Sequence, residues 1–167
     1  MEICLRPWST DDRAILADLI SRVDRRYLSN RLPDPYTLQD ADWWLNMVKE
    51  QDGREGLFRS ITVDGIPAGN LTIERCSDVH EKDGEIGYFL DERFQNQGVM
   101  TEAVRQICPL AFQELGLLRI TGLVYEPNLA SRRVLENNGF VLEGIKKQAV
   151  YKNKQVYHLY IYGKYRE

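Results

Sequence analysis

Several features that would define a function are missing from this chain of 167 residues. No Gly-Lys-Ser or Gly-Lys-Thr occurs, which excludes the Walker phosphate-binding loop. The turn at Gly98 has one glycine where the dinucleotide-binding fingerprint has three. The three cysteines, Cys4, Cys76 and Cys108, are too widely spaced for a metal site. We therefore predict no metal, and the odd, scattered thiols favour a reducing compartment.

Long apolar runs and an excess of positive charge are missing as well. No stretch is apolar for long enough to span a bilayer, and residues 1–6 lack the layout of a secretion signal. The net charge of −3 argues against broad nucleic-acid binding, which needs clustered cations, but suits a cationic substrate such as an amine. We predict a cytoplasmic protein with no membrane partner and no direct nucleic-acid partner.

What the chain does have is hydrophobic periodicity that switches between strand and helix. Strands are predicted over residues 3–8, 57–63, 66–75, 85–90, 119–124, 140–150 and 155–164. Helices are predicted from the start signal at residues 9–12 to residue 20, over 37–50, from Gly98 to 115, and over 128–136. The order β α α β β β α β α β β predicts an α+β fold with one mixed sheet, and we treat residues 1–167 as one domain.

The segment Phe94–Ala103 stands out because a glycine-bearing turn joins a predicted buried strand to the start of a helix. The first backbone N–H groups of a helix have no partner within the helix, and the helix dipole is positive there. Such a junction is suited to bind phosphate, although most junctions with one glycine bind nothing. We predict a phosphate-bearing ligand at this turn.

Two motifs in this sequence resemble those of a known family. Gln95-Asn96-Gln97-Gly98-Val99-Met100 is similar to the acyl-CoA pyrophosphate loop of the GNAT acetyltransferases, Q/R-x-x-G-x-G/A, with Met100 departing from the usual small residue. About 30 residues later, the segment from Asn128 to Phe140 resembles the N-x-x-S/A-x-x-x-x-E-x-x-G-F segment of that family. The second match resembles in particular the ribosomal-protein N-acetyltransferases of the RimJ/RimL type.

The resemblance implies a GNAT fold, a mixed and mostly antiparallel twisted sheet of about seven strands with about four helices. It implies acetyl-CoA as co-substrate, with its pantetheine arm in a gap where the central strands splay and its pyrophosphate on the glycine turn. The implied cofactor-binding residues are Phe89, Leu90, Gln95, Asn96, Gln97, Gly98, Val99, Met100, Thr101, Asn128 and Ser131. Asn128 is also a good helix N-cap, and the two roles are compatible.

The reaction that the resemblance implies is direct attack of an amine on the thioester. Ser131 occupies the position proposed in the RimJ/RimL-type group as the acid that protonates the leaving thiolate. The general base is Glu85 or Glu74, and we lean towards Glu85, although either carboxylate could be an exposed strand end. A backbone N–H near Leu90 is the candidate for stabilising the oxyanion.

The sequence does not identify the amine acceptor, because both motifs concern the binding of the acyl donor. A protein N-terminal α-amine is the first expectation, a small amine such as a polyamine, amino acid or aminoglycoside the second, and a non-catalytic acyl-CoA-binding regulator the third. An acceptor pocket is expected between residues 24–45 and the last hairpin, with Tyr125, Tyr151 and Tyr157 as candidate lining residues. Homodimers are common in the group, so a homodimer is a further expectation.

Overall fold

A computed structural model describes residues 1–167, and it contains one seven-stranded sheet. The strands are β1 (Ile3–Pro7), β2 (Gly56–Val63), β3 (Ile66–Arg75), β4 (Asp83–Leu90), β5 (Arg119–Tyr125), β6 (Val141–Lys152) and β7 (Gln155–Tyr165). The α-helices are α1 (Arg13–Ile20), α2 (Leu38–Gln51), α3 (Val99–Glu114) and α4 (Leu129–Asn137). The predicted order of strands and helices and the α+β class are confirmed.

The strands lie in the order β1-β2-β3-β4-β5-β7-β6. Every neighbouring pair is antiparallel except β4 and β5, which run parallel. α3 makes the connection between these two strands, as a parallel crossover requires. Pro7 ends the edge strand β1, where its missing N–H interrupts no ladder. The sheet is therefore mixed and mostly antiparallel, as expected.

Short-range signals explain most of the turns and helix starts. Asp64 and Gly65 both have positive φ, which matches the tight hairpin turn that the twist of two antiparallel strands favours. Thr37 caps α2 through a reciprocal capping box with Asp40. Asp11 and Asp12 follow the cap Ser9, but they form a 3-10 turn, and α1 begins only at Arg13.

The two faces of the sheet carry separate cores. On one face, α3 and α4 pack over a large apolar cluster that includes Ile86, and Tyr88 and Leu90 border it. On the other face, α1 and α2 pack over a smaller cluster with Trp8 and Phe58, and Phe89 borders that one. The period of two along β4 therefore sends alternate side chains to opposite faces. No helix combines the length and the hydropathy needed to cross a membrane.

Candidate active site

The site begins where the two parallel strands separate. β4 and β5 are paired from Asp83 and Arg119 as far as Ile86 and Gly122. Beyond that pair, the edge of β4 that faces β5 has no strand partner over residues 87–90. A cleft of about 780 Å³ opens there, between the ends of the two strands, the start of α3 and the start of α4. Unpaired strand edges offer backbone donors and acceptors to an extended ligand.

The start of α3 presents backbone N–H groups to this cleft. Asn96 and Gly98 have left-handed backbone conformations, with φ of 60° and 78°, so the loop coils before the helix begins. No backbone N–H from Asn96 through Thr101 donates to a backbone acceptor, and no side chain caps the helix. Consecutive free N–H groups in such a coil, together with the helix dipole, form an anion-binding concavity.

The only acid in the first turn of α3 is Glu102, and it is neutralised locally. Arg105 donates to its carboxylate through Nη2 at 2.6 Å and through Nε at 2.8 Å. This guanidinium, followed by a hydrogen bond from Gln106, lowers the pKa of Glu102 to about 2. The ion pair reduces the repulsion that this carboxylate would exert on an anion at the helix start.

Most of the predicted site residues line the cleft. They are Glu85, Phe89, Leu90, Gln95, Asn96, Gly98, Val99, Met100, Thr101, Asn128 and Ser131. Gln97 does not line it, because its side-chain amide folds back and donates to the carbonyl of Arg93 at 3.0 Å. The side chain of Met100 is buried in the core beneath α3, so a large residue is accommodated at that position without obstructing the turn.

Asn128 and Ser131 are joined at the start of α4. The Asn128 side-chain oxygen accepts a hydrogen bond from the Ser131 N–H at 3.3 Å, which confirms the expected N-cap. Because the oxygen faces the helix, the side-chain NH₂ of Asn128 is left to donate into the cleft that this residue lines.

Ser131 has a partner that sequence reasoning missed. Its hydroxyl lies 2.6 Å from the hydroxyl of Tyr88, which reaches it from β4. Burial raises the pKa of Tyr88 to about 12, so this phenol stays protonated at neutral pH. A protonated Tyr88 can donate to the Ser131 oxygen and leave the Ser131 proton free to point into the cleft. No sequence signal identifies Tyr88, because an aromatic residue in a strand usually belongs to the core.

The two candidate bases lie side by side on the opposite face of the sheet. Glu74 and Glu85 are direct cross-strand partners on β3 and β4, so their side chains share one face. Burial, followed by the neighbouring charge of Glu74, raises the pKa of Glu85, while Arg31 opposes the shift. Glu85 lines the cleft, whereas Glu74 lines a second cavity of about 620 Å³ beneath α2. The structure thus brings Glu85 and Ser131 to one cleft and leaves Glu74 beside it.

The segment between α1 and α2 forms the outer wall of both cavities. Leu28, Ser29 and Arg31 line the cleft and the second cavity alike. The late hairpin holds this segment, because the buried ammonium of Lys152 donates to the carbonyls of Arg25 and Leu28. Sequence reasoning missed this contact because the two ends are 127 and 124 residues apart.

Aromatic side chains connect the same wall to the sheet. Tyr125 stacks on Tyr157 with ring centres 6.1 Å apart, and Tyr27 meets both rings edge-on. Tyr125 lines the cleft, and Tyr157 stacks on it without lining the cleft. Their expected place in an acceptor pocket stays a prediction. Tyr151 lines neither cavity and is exposed on the hairpin.

Comparison with known proteins identifies the family. A family model described as an acetyltransferase (GNAT) domain matches residues 2–141. The chain belongs to the GNAT acetyltransferases. A seven-stranded mixed sheet with four helices and a central splay is the GNAT fold that the sequence motifs implied.

Individual relatives are similar over parts of their length. A 65-residue region covering 39% of this chain is 52% identical to a probable N-acetyltransferase, YjcK, of Bacillus subtilis, and spans 36% of that protein. A 108-residue region covering 65% of this chain is 32% identical to the ribosomal-protein-serine acetyltransferase of Escherichia coli, and spans 59% of it. The matched regions thus cover less than two thirds of either relative.

A solved structure shares the fold over nearly the whole chain. RimL, a ribosomal L7/L12 alpha-N-protein acetyltransferase in complex with coenzyme A, superposes with a TM-score of 0.85 at 24% identity. The superposition covers 98% of this chain and 93% of that one. At this identity the likeness shows a common fold.

The Lys152 contact predicts that the hairpin stabilises the cavity wall. Lys152→Met removes the donor and leaves two carbonyls without a partner, at a cost of about 1–3 kcal/mol. We expect backbone amides of residues 24–31 to exchange hydrogen with solvent at least about tenfold faster, as measured by mass spectrometry. Lys146→Met, at an exposed position of β6, is the control. Equal exchange in wild type and both variants would contradict the assignment.

Proposed function

We propose that this protein is an acetyl-CoA-dependent N-acetyltransferase that acts on the α-amine of a protein or peptide N-terminus. The observation that carries the proposal is the run of free N–H groups from Asn96 to Thr101 at the mouth of a cleft where the strands splay. Two linked phosphates match that run, and an amide-rich pantetheine arm matches the open edge of β4. RimL, which has the same fold, is in complex with coenzyme A.

Backbone groups bind most of coenzyme A in this proposal, and the side chain of Asn128 adds one contact. The free N–H groups from Asn96 to Thr101 hold the pyrophosphate, and Gln95 lines the cleft beside them. Gln97 contributes its N–H, because its side chain is turned back to Arg93. The main chain at Phe89 and Leu90 pairs with the pantetheine amides. Asn128 donates its NH₂ group to a pantetheine carbonyl while its oxygen caps α4.

The chemistry is direct acyl transfer within a ternary complex. The neutral amine attacks the thioester carbonyl carbon, the C–S bond breaks, and the amine proton leaves through Glu85. A backbone N–H near Leu90 stabilises the oxyanion. Ser131 donates its proton to the departing thiolate while the Tyr88 hydroxyl passes its own proton to the Ser131 oxygen across the 2.6 Å contact. Glu85 then releases the amine proton to solvent, and solvent reprotonates Tyr88. An α-amine has a pKa near about 8, so a weak base suffices.

The carboxylate pair favours an amine acceptor, and the relatives favour an α-amine. Glu74 and Glu85 create a negative surface on the acceptor side of β4, which attracts an ammonium before it loses its proton. The Escherichia coli relative is a ribosomal-protein-serine acetyltransferase. Labelled acetyl-CoA, offered with a peptide library and with polyamines, amino acids and aminoglycosides, tests the proposal by mass spectrometry. Transfer to peptide α-amines is expected, and transfer to small amines alone would overturn the choice of acceptor.

Ser131→Ala should lower turnover by about 10²-fold, because the thiolate loses its proton donor. The affinity for coenzyme A, measured by calorimetry, should stay within about threefold, since the cap oxygen of Asn128 still meets the backbone of residue 131. Ser77→Ala, at an exposed serine whose side chain makes no cap, is the matched control. Undiminished turnover in Ser131→Ala would remove this residue from the mechanism.

Glu85→Gln should lower kcat/KM by about 10²-fold, and Glu74→Gln by clearly less, because only Glu85 lines the cleft. The same residue should also make the free energy of unfolding depend on pH. The folded-state pKa of Glu85 is raised, so its contribution is full below the unfolded pKa of about 4.3 and is lost as the pH rises through the folded value.

Urea denaturation at pH 4 and pH 7 measures that difference. Wild type should lose more stability between the two pH values than Glu85→Gln, which has no proton to release.

In the kinetic comparison, a larger loss of activity in Glu74→Gln than in Glu85→Gln would assign the general base to Glu74 on β3.

A further inference from the structure

The second cavity has an apolar and aromatic wall, which the acetyl transfer itself does not require. It lies on the face of the sheet beneath α2 and encloses about 620 Å³. Its wall is apolar and aromatic, and is formed by Leu32, Pro33, Tyr36, Trp43, Trp44 and Met47. Its floor is β3 and β4, where Thr72 pairs with Gly87, two residues along each strand from the Glu74 and Glu85 pair and on the same face. A volume of this size is typical of a pocket for a small ligand group.

The two tryptophans of the wall differ in how firmly they are held. Trp44 meets Trp8 and Phe58 edge-on, with ring centres 5.9 and 6.1 Å away, so its ring is fixed from behind. The neighbouring Trp43 is 71% exposed and lines the cavity without such support. A tryptophan that faces both solvent and a cavity is positioned to cover an apolar group.

Two polar side chains of the cavity are engaged with the protein. The carboxylate of Asp40 accepts the capping hydrogen bonds of Thr37, at 2.8 and 2.9 Å. The side-chain oxygen of Asn70 accepts from the indole of Trp8 at 2.9 Å. Of the charged side chains, Glu74 and Arg31 have no hydrogen-bond partner, and Glu74 is the cross-strand neighbour of Glu85. The wall is therefore mostly apolar, and the unengaged carboxylate of the lining, Glu74, lies beside Glu85.

Gly87 connects this cavity to the cleft. It lies in β4, lines both cavities, and is exposed although its strand is central in the sheet. A Cβ at this position would meet only the Thr72 hydroxyl, at 3.6 Å, so the space above Gly87 is open. Glu85 lines the cleft and Gly87 lines both spaces, so Gly87 lies between Glu85 and the aromatic cavity.

We infer that the second cavity selects acceptors whose α-amine is attached to a residue with a bulky apolar or aromatic side chain. The inference rests on the proposed function. The amine lies at Glu85, and the side chain of the same residue extends over Gly87 between Trp43 and Met47. A small side chain such as serine or alanine would leave the cavity unfilled.

Acetylation of three peptides that differ only in the first residue, Phe, Ala or Ser, tests this specificity with acetyl-CoA. The wild-type protein should favour the Phe peptide by about 100-fold in kcat/KM, since each buried methylene contributes about tenfold or more. Trp43→Ala should raise KM for the Phe peptide by about tenfold and change kcat/KM for the Ala peptide by less than threefold. Gly87→Val, which narrows the passage, should remove the preference.

Val79→Ala, at an exposed residue that lines neither cavity, is the control variant and should retain the preference. Circular dichroism of each variant establishes that it is folded. Equal rates with the three peptides, or an equal loss for the Phe and Ala peptides in Trp43→Ala, would overturn the inference while leaving the transferase proposal intact. Acetylation of free phenylalanine but of no peptide would support the cavity assignment and replace the proposed acceptor. Absence of coenzyme A binding would overturn both.

Discussion

The structure depends on backbone hydrogen-bonding groups that the fold leaves unpaired at one place. The β4–β5 ladder stops at Ile86 and Gly122, and α3 begins with N–H groups that no carbonyl accepts. Unpaired backbone groups are costly when buried, so they persist where a ligand or solvent satisfies them. Both sets of free groups face the same cleft. The splay and the helix start thus form one binding surface, and the side-chain chemistry is arranged around it.

The two faces of the sheet carry different polar side chains next to this binding surface. Ser131 and Tyr88 meet on the face covered by α3 and α4, whereas Glu85 and Glu74 lie on the face covered by α1 and α2. A thioester in the gap would thus have a proton donor on one side and a proton acceptor on the other. The alternation of side chains along β4 produces this division, because adjacent residues of one strand serve opposite faces.

Sequence reasoning recovered the features that depend on local patterns. The order of elements, the hairpin turn at Asp64, the cap at Asn128 and the glycine turn at Gly98 follow from periodicity and from residues with special backbone preferences. The missed features depend on tertiary contacts: the Tyr88 hydroxyl on Ser131, the ammonium of Lys152 beneath the 24–31 segment, and the shared wall at Arg31. Gln97 was predicted as a ligand, and only the structure shows its side chain turned back to Arg93.

The most direct test of the account is a calorimetric titration of wild type, Gly98→Ala and Gly98→Asp with coenzyme A. The account predicts saturable binding at one site and a loss of about 100-fold or more in Gly98→Asp, because a carboxylate would oppose the pyrophosphate. Gly98→Ala should lose less, since it adds only the strain of a positive φ in open space. Absence of saturable binding in wild type, or undiminished binding in Gly98→Asp, would contradict it.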